Sequence, residues 1–184
     1  MKNFSKAKYI SYLSIMLTLI VVLSFLESML PPTPFLPPGV KLGLSNIVTM
    51  FVLLFMGKKE AFSLTIAKSV FVFLTRGFTS GVLSLSGGFL SILVIILLST
   101  AFKQKISYLL LSVFGAIFHN IGQLIAVTLI LDNLYTLYFL PVLIVSGVFM
   151  GTITGVLLKQ LLPILKYPIK ELKKWKNFYS LLLF

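Results

Sequence analysis

In 184 residues this chain carries 58% hydrophobic side chains and only 11% charged ones, with a mean hydropathy of +1.07. Soluble domains carry about 25% charged residues, so the composition excludes an ordinary water-soluble domain and points to a bilayer. A net charge of +12 would suggest nucleic acid in a soluble protein, but in a membrane chain the first question is which side the charges occupy. The absence of cysteine excludes disulfides, Fe–S clusters and thiolate metal sites, and the single histidine, His119, argues against a histidine-built zinc centre. No metal and no cofactor are expected.

A hydrocarbon core of about 30 Å needs roughly 20 apolar residues per helix, which allows at most about six or seven spans here. Breaking the chain at its charges, prolines and glycines predicts six, at about residues 9–30, 41–57, 61–76, 82–102, 106–131 and 138–158. The first run, Tyr9 to Leu30, follows Lys2, Lys6 and Lys8 as in a signal peptide. No small-residue cleavage site ends it, so it reads as a retained helix. The stretch PPTPFLPPG that follows has five prolines in nine residues and predicts a stiff, extended outer lid.

The second and third spans are short, reaching only about 24 Å at 1.5 Å per residue. The third contains Lys68 near its middle, where a charge costs about 2.5–3.5 kcal/mol on insertion scales. Glu27, an anionic ligand or simple snorkelling could each compensate it. The fourth opens with SLSGGFLS, Ser84 to Ser91, whose Gly87 and Gly88 allow either a loosened, ligand-lining backbone or close packing.

In the fifth, GAIFHNIGQL places His119, Asn120 and Gln123 within five residues at mid-depth. His119 and Gln123 share a helix face and Asn120 lies about 100° around, so all three can border one cavity or hold neighbouring helices. In the sixth, Gly147, Gly151 and Gly155 recur every fourth residue and line one face for close helix packing. Beyond it, the basic tail with Trp175, Phe178 and Tyr179 reads as an amphipathic interfacial segment or a partner-docking helix.

Thirteen of the sixteen positive charges fall on one side of this arrangement, Lys41 and Arg76 fall on the other, and Lys68 is left inside. The positive-inside rule then puts both termini in the cytoplasm. The expectation is an all-α integral membrane protein, a six-helix bundle over 1–160 with a basic tail over 161–184. Its four acids, Glu27, Glu60, Asp132 and Glu171, are scattered, with no DxxD or DDxxD spacing to hold Mg²⁺ on a diphosphate and no phosphate-binding GxxxxGK[ST] loop. An enzyme is not expected.

Three blocks, PPGVKLGLSNIVTMFVLLFMG from Pro37, SLSGGFLSILV from Ser84 and GAIFHNIGQLIAV from Gly115, resemble in order and spacing the Gx transporter family, also catalogued as heptaprenyl diphosphate synthase component I. The resemblance covers roughly residues 9–160. That family is similar to the S components of energy-coupling factor transporters, six-helix membrane proteins that bind a vitamin-like solute from outside and rely on a separate membrane subunit and ATPases. It implies substrate contacts at Lys41, Asn46, Lys68, Gly87, Gly88, His119, Asn120 and Gln123, and Arg76 joins them because its charge, with those of Lys41 and Lys68, suggests an electropositive mouth. It also implies a small-residue docking stripe in helix one, whose nearest matches are Ala7 with Ser11 and Ser14 with Thr18.

The function expected is a substrate-binding transporter subunit in a bacterial plasma membrane for a small anionic or aromatic, vitamin- or cofactor-like solute. Its partners would be membrane lipid, a coupling subunit and ATPases, with no nucleic acid. The alternative is a non-catalytic membrane subunit tied to a prenyl-diphosphate, quinone or redox pathway.

Overall fold

The structure, a computed structural model, describes residues 2–29, 43–102 and 106–181, with side chains described for 7–29, 43–102 and 106–163. Six α-helices follow one another there: α1 (Lys2–Met29), α2 (Leu44–Phe55), α3 (Lys58–Arg76), α4 (Phe78–Ala101), α5 (Tyr108–Leu131) and α6 (Leu140–Leu181). A short 3-10 helix, Leu134–Phe139, leads into α6, and no strand occurs among the described residues. The proline lid expected at 31–39 and Lys41 lie outside the described residues.

Four segments are long and apolar enough to cross a membrane: Ala7–Met29, Phe78–Ala101, Tyr108–Leu131 and Leu134–Pro163. Polarity is distributed as a bilayer demands. Leu74, Leu129 and Val145 are each at least 70% exposed, whereas Glu27, Lys68, Asn120, Ser45 and Thr65 are buried. Lipid can solvate the outer leucines but not these polar groups, which must find partners inside the protein. This is the build of a multi-pass membrane protein.

α2 has 12 residues and so measures only about 18 Å. Ser45 and every residue from Ile47 to Leu53 are buried, so it is enclosed on all sides, with α1, α3, α4 and α6 as neighbours. Its Phe51 and Val52 form the centre of the apolar core with Met16 and Ile20 of α1, Leu64 of α3, Ile92 of α4 and Leu158 of α6. α3 is long enough in residues, but Lys58, Lys59, Glu60, Lys68 and Arg76 make it too polar to resemble an ordinary span.

α3 and α4 are joined by one residue, Gly77, at φ 86°, a backbone region where glycine carries no Cβ penalty. The expected start of the fourth helix at 82 therefore moves back to Phe78. From there α4 is helical without interruption, so Ser84–Ser91 contributes no loosened backbone.

α5 and α6 run antiparallel along the expected glycine seam. A Cβ placed on Gly147 would lie 2.9 Å from Ile117 Cα, on Gly151 2.5 Å from Val113 Cα, and on Gly155 3.0 Å from Leu109 Cα. Each step of four along α6 thus meets a step of four along α5, backbone against backbone. Ser112 and Thr154 hydroxyls share a hydrogen bond of 2.8 Å along the same seam.

α6 continues for 42 residues, about 63 Å, through Pro163 and Pro168 and past the expected start of the tail. Since the hydrocarbon core is about 30 Å thick, much of its C-terminal half extends beyond it.

A valine at Gly151 must push α5 and α6 apart. Overpacking of this kind costs about 1–3 kcal/mol. Gly151→Val is expected to lower the thermal midpoint of the detergent-purified protein by several degrees, while Val145→Leu on the exposed face leaves it unchanged. Equal midpoints for the two variants would show that the seam is not tight.

Candidate functional site

The polar interior is built at the junction of α1, α2 and α3. The first N–H groups of a helix have no intrahelical acceptor, and the residue entering α2, Gly43 at φ 75°, has no side chain to cap them. The carboxylate of Glu27, from the last turn of α1, accepts the Leu44 N–H instead. This places a negative charge at the positive end of the α2 dipole. One turn earlier, the Ser24 carbonyl accepts a hydrogen bond from the Arg76 guanidinium at the end of α3. The end of α1 is thereby tied to both neighbours.

Along α3 the buried positions Ala61, Leu64, Thr65, Lys68, Ser69 and Val72 recur at helical spacing, so the polar residues among them share the inward face. Lys68 is 7% exposed and donates from Nζ to Asn46 Oδ1 at 2.8 Å. Asn46 neutralises no charge. That is left to Glu27, which lies within electrostatic reach of both Lys68 and Arg76. Of the arrangements open from the sequence, burial on a dipolar partner, Asn46, is the one the geometry shows, and Lys68 does not snorkel.

Beside Lys68 is a cavity of about 10 Å³, room for about one water-sized atom. Asn46 and Thr49 of α2, Thr65 and Lys68 of α3, and Gly88 and Ser91 of α4 line its polar part. The Thr65 hydroxyl donates to the Ala61 carbonyl at 2.9 Å and the Thr49 hydroxyl to that of Ser45 at 3.4 Å, so both turn lone pairs outward. Lys68 keeps two of its three N–H donors. Gly88 is tightly placed, since a Cβ there would lie 2.5 Å from Thr65 Cγ2.

The described residues expected to form one site divide into four groups. Asn46, Lys68 and Gly88 border the cavity. Gly87, His119 and Gln123 meet where α4 crosses α5: a Cβ on Gly87 would lie 2.8 Å from the His119 carbonyl oxygen and 2.9 Å from Gln123 Cγ. His119 Nδ1 is buried there without a hydrogen-bond partner, within electrostatic reach of Lys68. Asn120 faces α6, donating from Nδ2 to the Leu143 carbonyl at 2.9 Å and to Ser146 Oγ at 3.3 Å.

Arg76 belongs to the junction above the cavity, and its Nη1 is buried without a partner. Lys41 lies outside the described residues. Thr49, Thr65 and Ser91 were not singled out from the sequence. Their signal was available in the spacing: Asn46 with Thr49, Thr65 with Lys68 and Gly88 with Ser91 each place two polar or small residues three apart on a helix face.

The three acids with described side chains are dispersed. Glu27 caps α2, Glu60 accepts the Tyr9 hydroxyl at 2.6 Å, and Asp132 closes α5 in the left-handed conformation at φ 46°. Among the described residues no three His, Asp or Glu side chains come together as a metal site would require.

If Glu27 compensates the buried cations, its charge is coupled to theirs. Glu27→Gln is expected to cost about 1–3 kcal/mol, and adding Lys68→Met to recover a good part of it, a coupling within the usual range for neighbouring groups. A double-mutant cycle by denaturant unfolding in detergent measures this. Strictly additive effects would show that Glu27 serves α2 alone.

Searches of curated proteins and of solved structures each give no match. One family model, heptaprenyl diphosphate synthase component I, matches residues 16–161, from within α1 to the part of α6 just before the basic tail. That span takes in α2 to α5 whole, with the Lys68 cavity and both glycine contacts, and on this evidence the chain belongs to the heptaprenyl diphosphate synthase component I family.

Proposed function

We propose that this protein is the membrane-embedded substrate-binding subunit of a transporter, of the S-component kind, taking a small solute from the outer side of a bacterial plasma membrane. The observation that carries the reading is the Lys68 ammonium, held by Asn46 against a cavity among α2, α3 and α4. A bundle that needed only to pack would be served by a leucine there, since an intramembrane charge is costly and marks substrate or ion pathways by default.

In this reading all six helices traverse the membrane, α2 as a short internal one, with both termini cytoplasmic by the lysine distribution. Residues 1–160 form the membrane domain and 161–184 a cytoplasmic or interfacial tail. A solute larger than one atom enters when α2 parts from α3 and α4. By the distribution of charge along the sequence, Arg76 and Lys41 make the outer side electropositive, and His119 and Gln123 at the α4–α5 contact are further solute contacts.

Transport needs energy from partners. Ala7, Ser11, Ser14 and Thr18 form an exposed stripe along α1, and their hydroxyls are satisfied by carbonyls four residues back, at 2.9 Å for Ser11, 3.0 Å for Ser14 and 2.9 Å for Thr18. Such a face needs no further hydrogen bonds to enter another helix's interface, and small residues let backbones approach. It suits a membrane coupling subunit associated with ATPases.

The family description favours a second reading, since "component I" of a synthase implies another component. In it the chain is a non-catalytic membrane subunit that anchors a prenyl-diphosphate enzyme through the basic tail.

Native mass spectrometry of gently purified protein tests the first reading. A small molecule is expected to be retained, with Lys68→Met or Asn46→Leu reducing its occupancy at least about tenfold, the scale of one charged hydrogen bond, while the helical spectrum is unchanged. Undiminished retention in both variants would remove the cavity from the function. Deleting residues 166–184 separates the two readings: loss of a co-purifying synthase with ligand retention intact would favour the anchor.

A further inference from the structure

The chemistry of the ligand can be read further from the site's charge, its donors and its size, an inference that rests on the substrate-binding reading above. Three ionisable side chains meet at the α1, α2 and α3 junction: Glu27 on the Leu44 N–H, Lys68 on Asn46 and Arg76 on the Ser24 carbonyl. With all three ionised the cluster carries one positive charge in excess. One added negative charge makes it neutral. Two or more leave it negative within a membrane protein, where uncompensated charge costs several kcal/mol.

The donors converge on the same conclusion. Lys68 has given one N–H to Asn46 and retains two, and Ser91 stands in the cavity wall with its hydroxyl oxygen close to Gly115 of α5 and its proton given to no acceptor among the described residues. Thr49 and Thr65 have spent their protons on carbonyls and offer only lone pairs. An anion is thus met by the α3 and α4 side of the cavity, through Lys68 and Ser91, and is not drawn to the threonines. At about 10 Å³ the closed space takes one atom of an anion, and anything larger enters only as α2 parts from α3 and α4, so the choice against phosphate rests on charge.

We propose that the Lys68 cavity binds one atom of a singly charged anion, a carboxylate oxygen or a halide, held by Lys68 Nζ and Ser91 Oγ, and that it rejects phosphate and diphosphate groups. Under this assignment the transported solute is a monocarboxylate whose acid group docks beside Lys68, and a prenyl diphosphate is not the ligand of this site.

The test is thermal unfolding of the full-length protein in detergent, titrated with sodium formate, sodium bromide, sodium sulfate or inorganic diphosphate at matched ionic strength. Formate is expected to raise the midpoint in a saturable manner, while sulfate and diphosphate give no saturable rise. Saturation by bromide as well assigns the cavity to any monoanionic atom, and saturation by formate alone assigns it to carboxylates. Ser91→Ala should weaken the half-saturating concentration several-fold with the fold intact, and Lys68→Met should abolish the effect.

Equal responses to all four salts, or a saturable rise with diphosphate, would overturn the proposal. So would full formate stabilisation in both variants. If no anion stabilises the protein yet a neutral molecule remains bound in native mass spectrometry, the monoanion assignment fails and the substrate-binding reading stands. If nothing is retained and no anion acts, both fail.

Discussion

A lysine ammonium buried among apolar helices must be compensated, and the α1, α2 and α3 junction is arranged around doing so. Lys68 reaches Asn46 because α2 lies inside the bundle. α2 can lie there because its 12 residues need not face lipid at all, and because the orphan N–H groups at its start are answered by Glu27 from another helix. Glu27 in turn is placed by the end of α1, which the bond from Arg76 to the Ser24 carbonyl holds against α3. Remove the lysine and the reason for placing Asn46 where it is largely disappears, while Glu27 keeps its part at the start of α2.

The other side of the molecule is held by different physics. From α4 to α6 the contacts are between backbones brought close by glycine: Gly87 and Gly122 where α4 meets α5, then Gly147, Gly151 and Gly155 along α6. Lipid supplies no hydrophobic drive between helices, so van der Waals contact at close range and a few interhelical hydrogen bonds provide the cohesion. Against these antiparallel helices α1 and α2 are held both by the apolar core around Phe51 and Val52 and by directional bonds to a few polar atoms, and the Lys68 cavity lies where α2, α3 and α4 meet.

Composition and charge spacing were enough to reveal the class and the helix order, because the apolar runs of α1, α4, α5 and α6 are each long enough to cross a membrane. They were not enough to place α2, whose apolar residues look the same whether they face lipid or protein. The buried lysine and its neighbour Asn46 were legible, since both are anomalies in apolar runs. The grouping of His119, Asn120 and Gln123 was legible only as a set of faces: the 100° between His119 and Asn120 turned out to separate the α4 contact from the α6 contact. Helical spacing tells which residues share a face. It does not tell which neighbour that face meets, and this depends on tertiary packing.

The glycine seam shows the complementary case. A repeat of four on α6 fixes the spacing of the contact but leaves the partner open, and the partner is identified only by the matching steps at Ile117, Val113 and Leu109 on α5. The same seam orients Asn120, because with α5 locked backbone to backbone against α6 its amide meets the Leu143 carbonyl and the Ser146 hydroxyl. His119, one residue earlier, is then turned toward Gly87 and leaves Nδ1 without a hydrogen-bond partner. The packing of α5 against α4 and α6 thus decides which of its polar groups find partners.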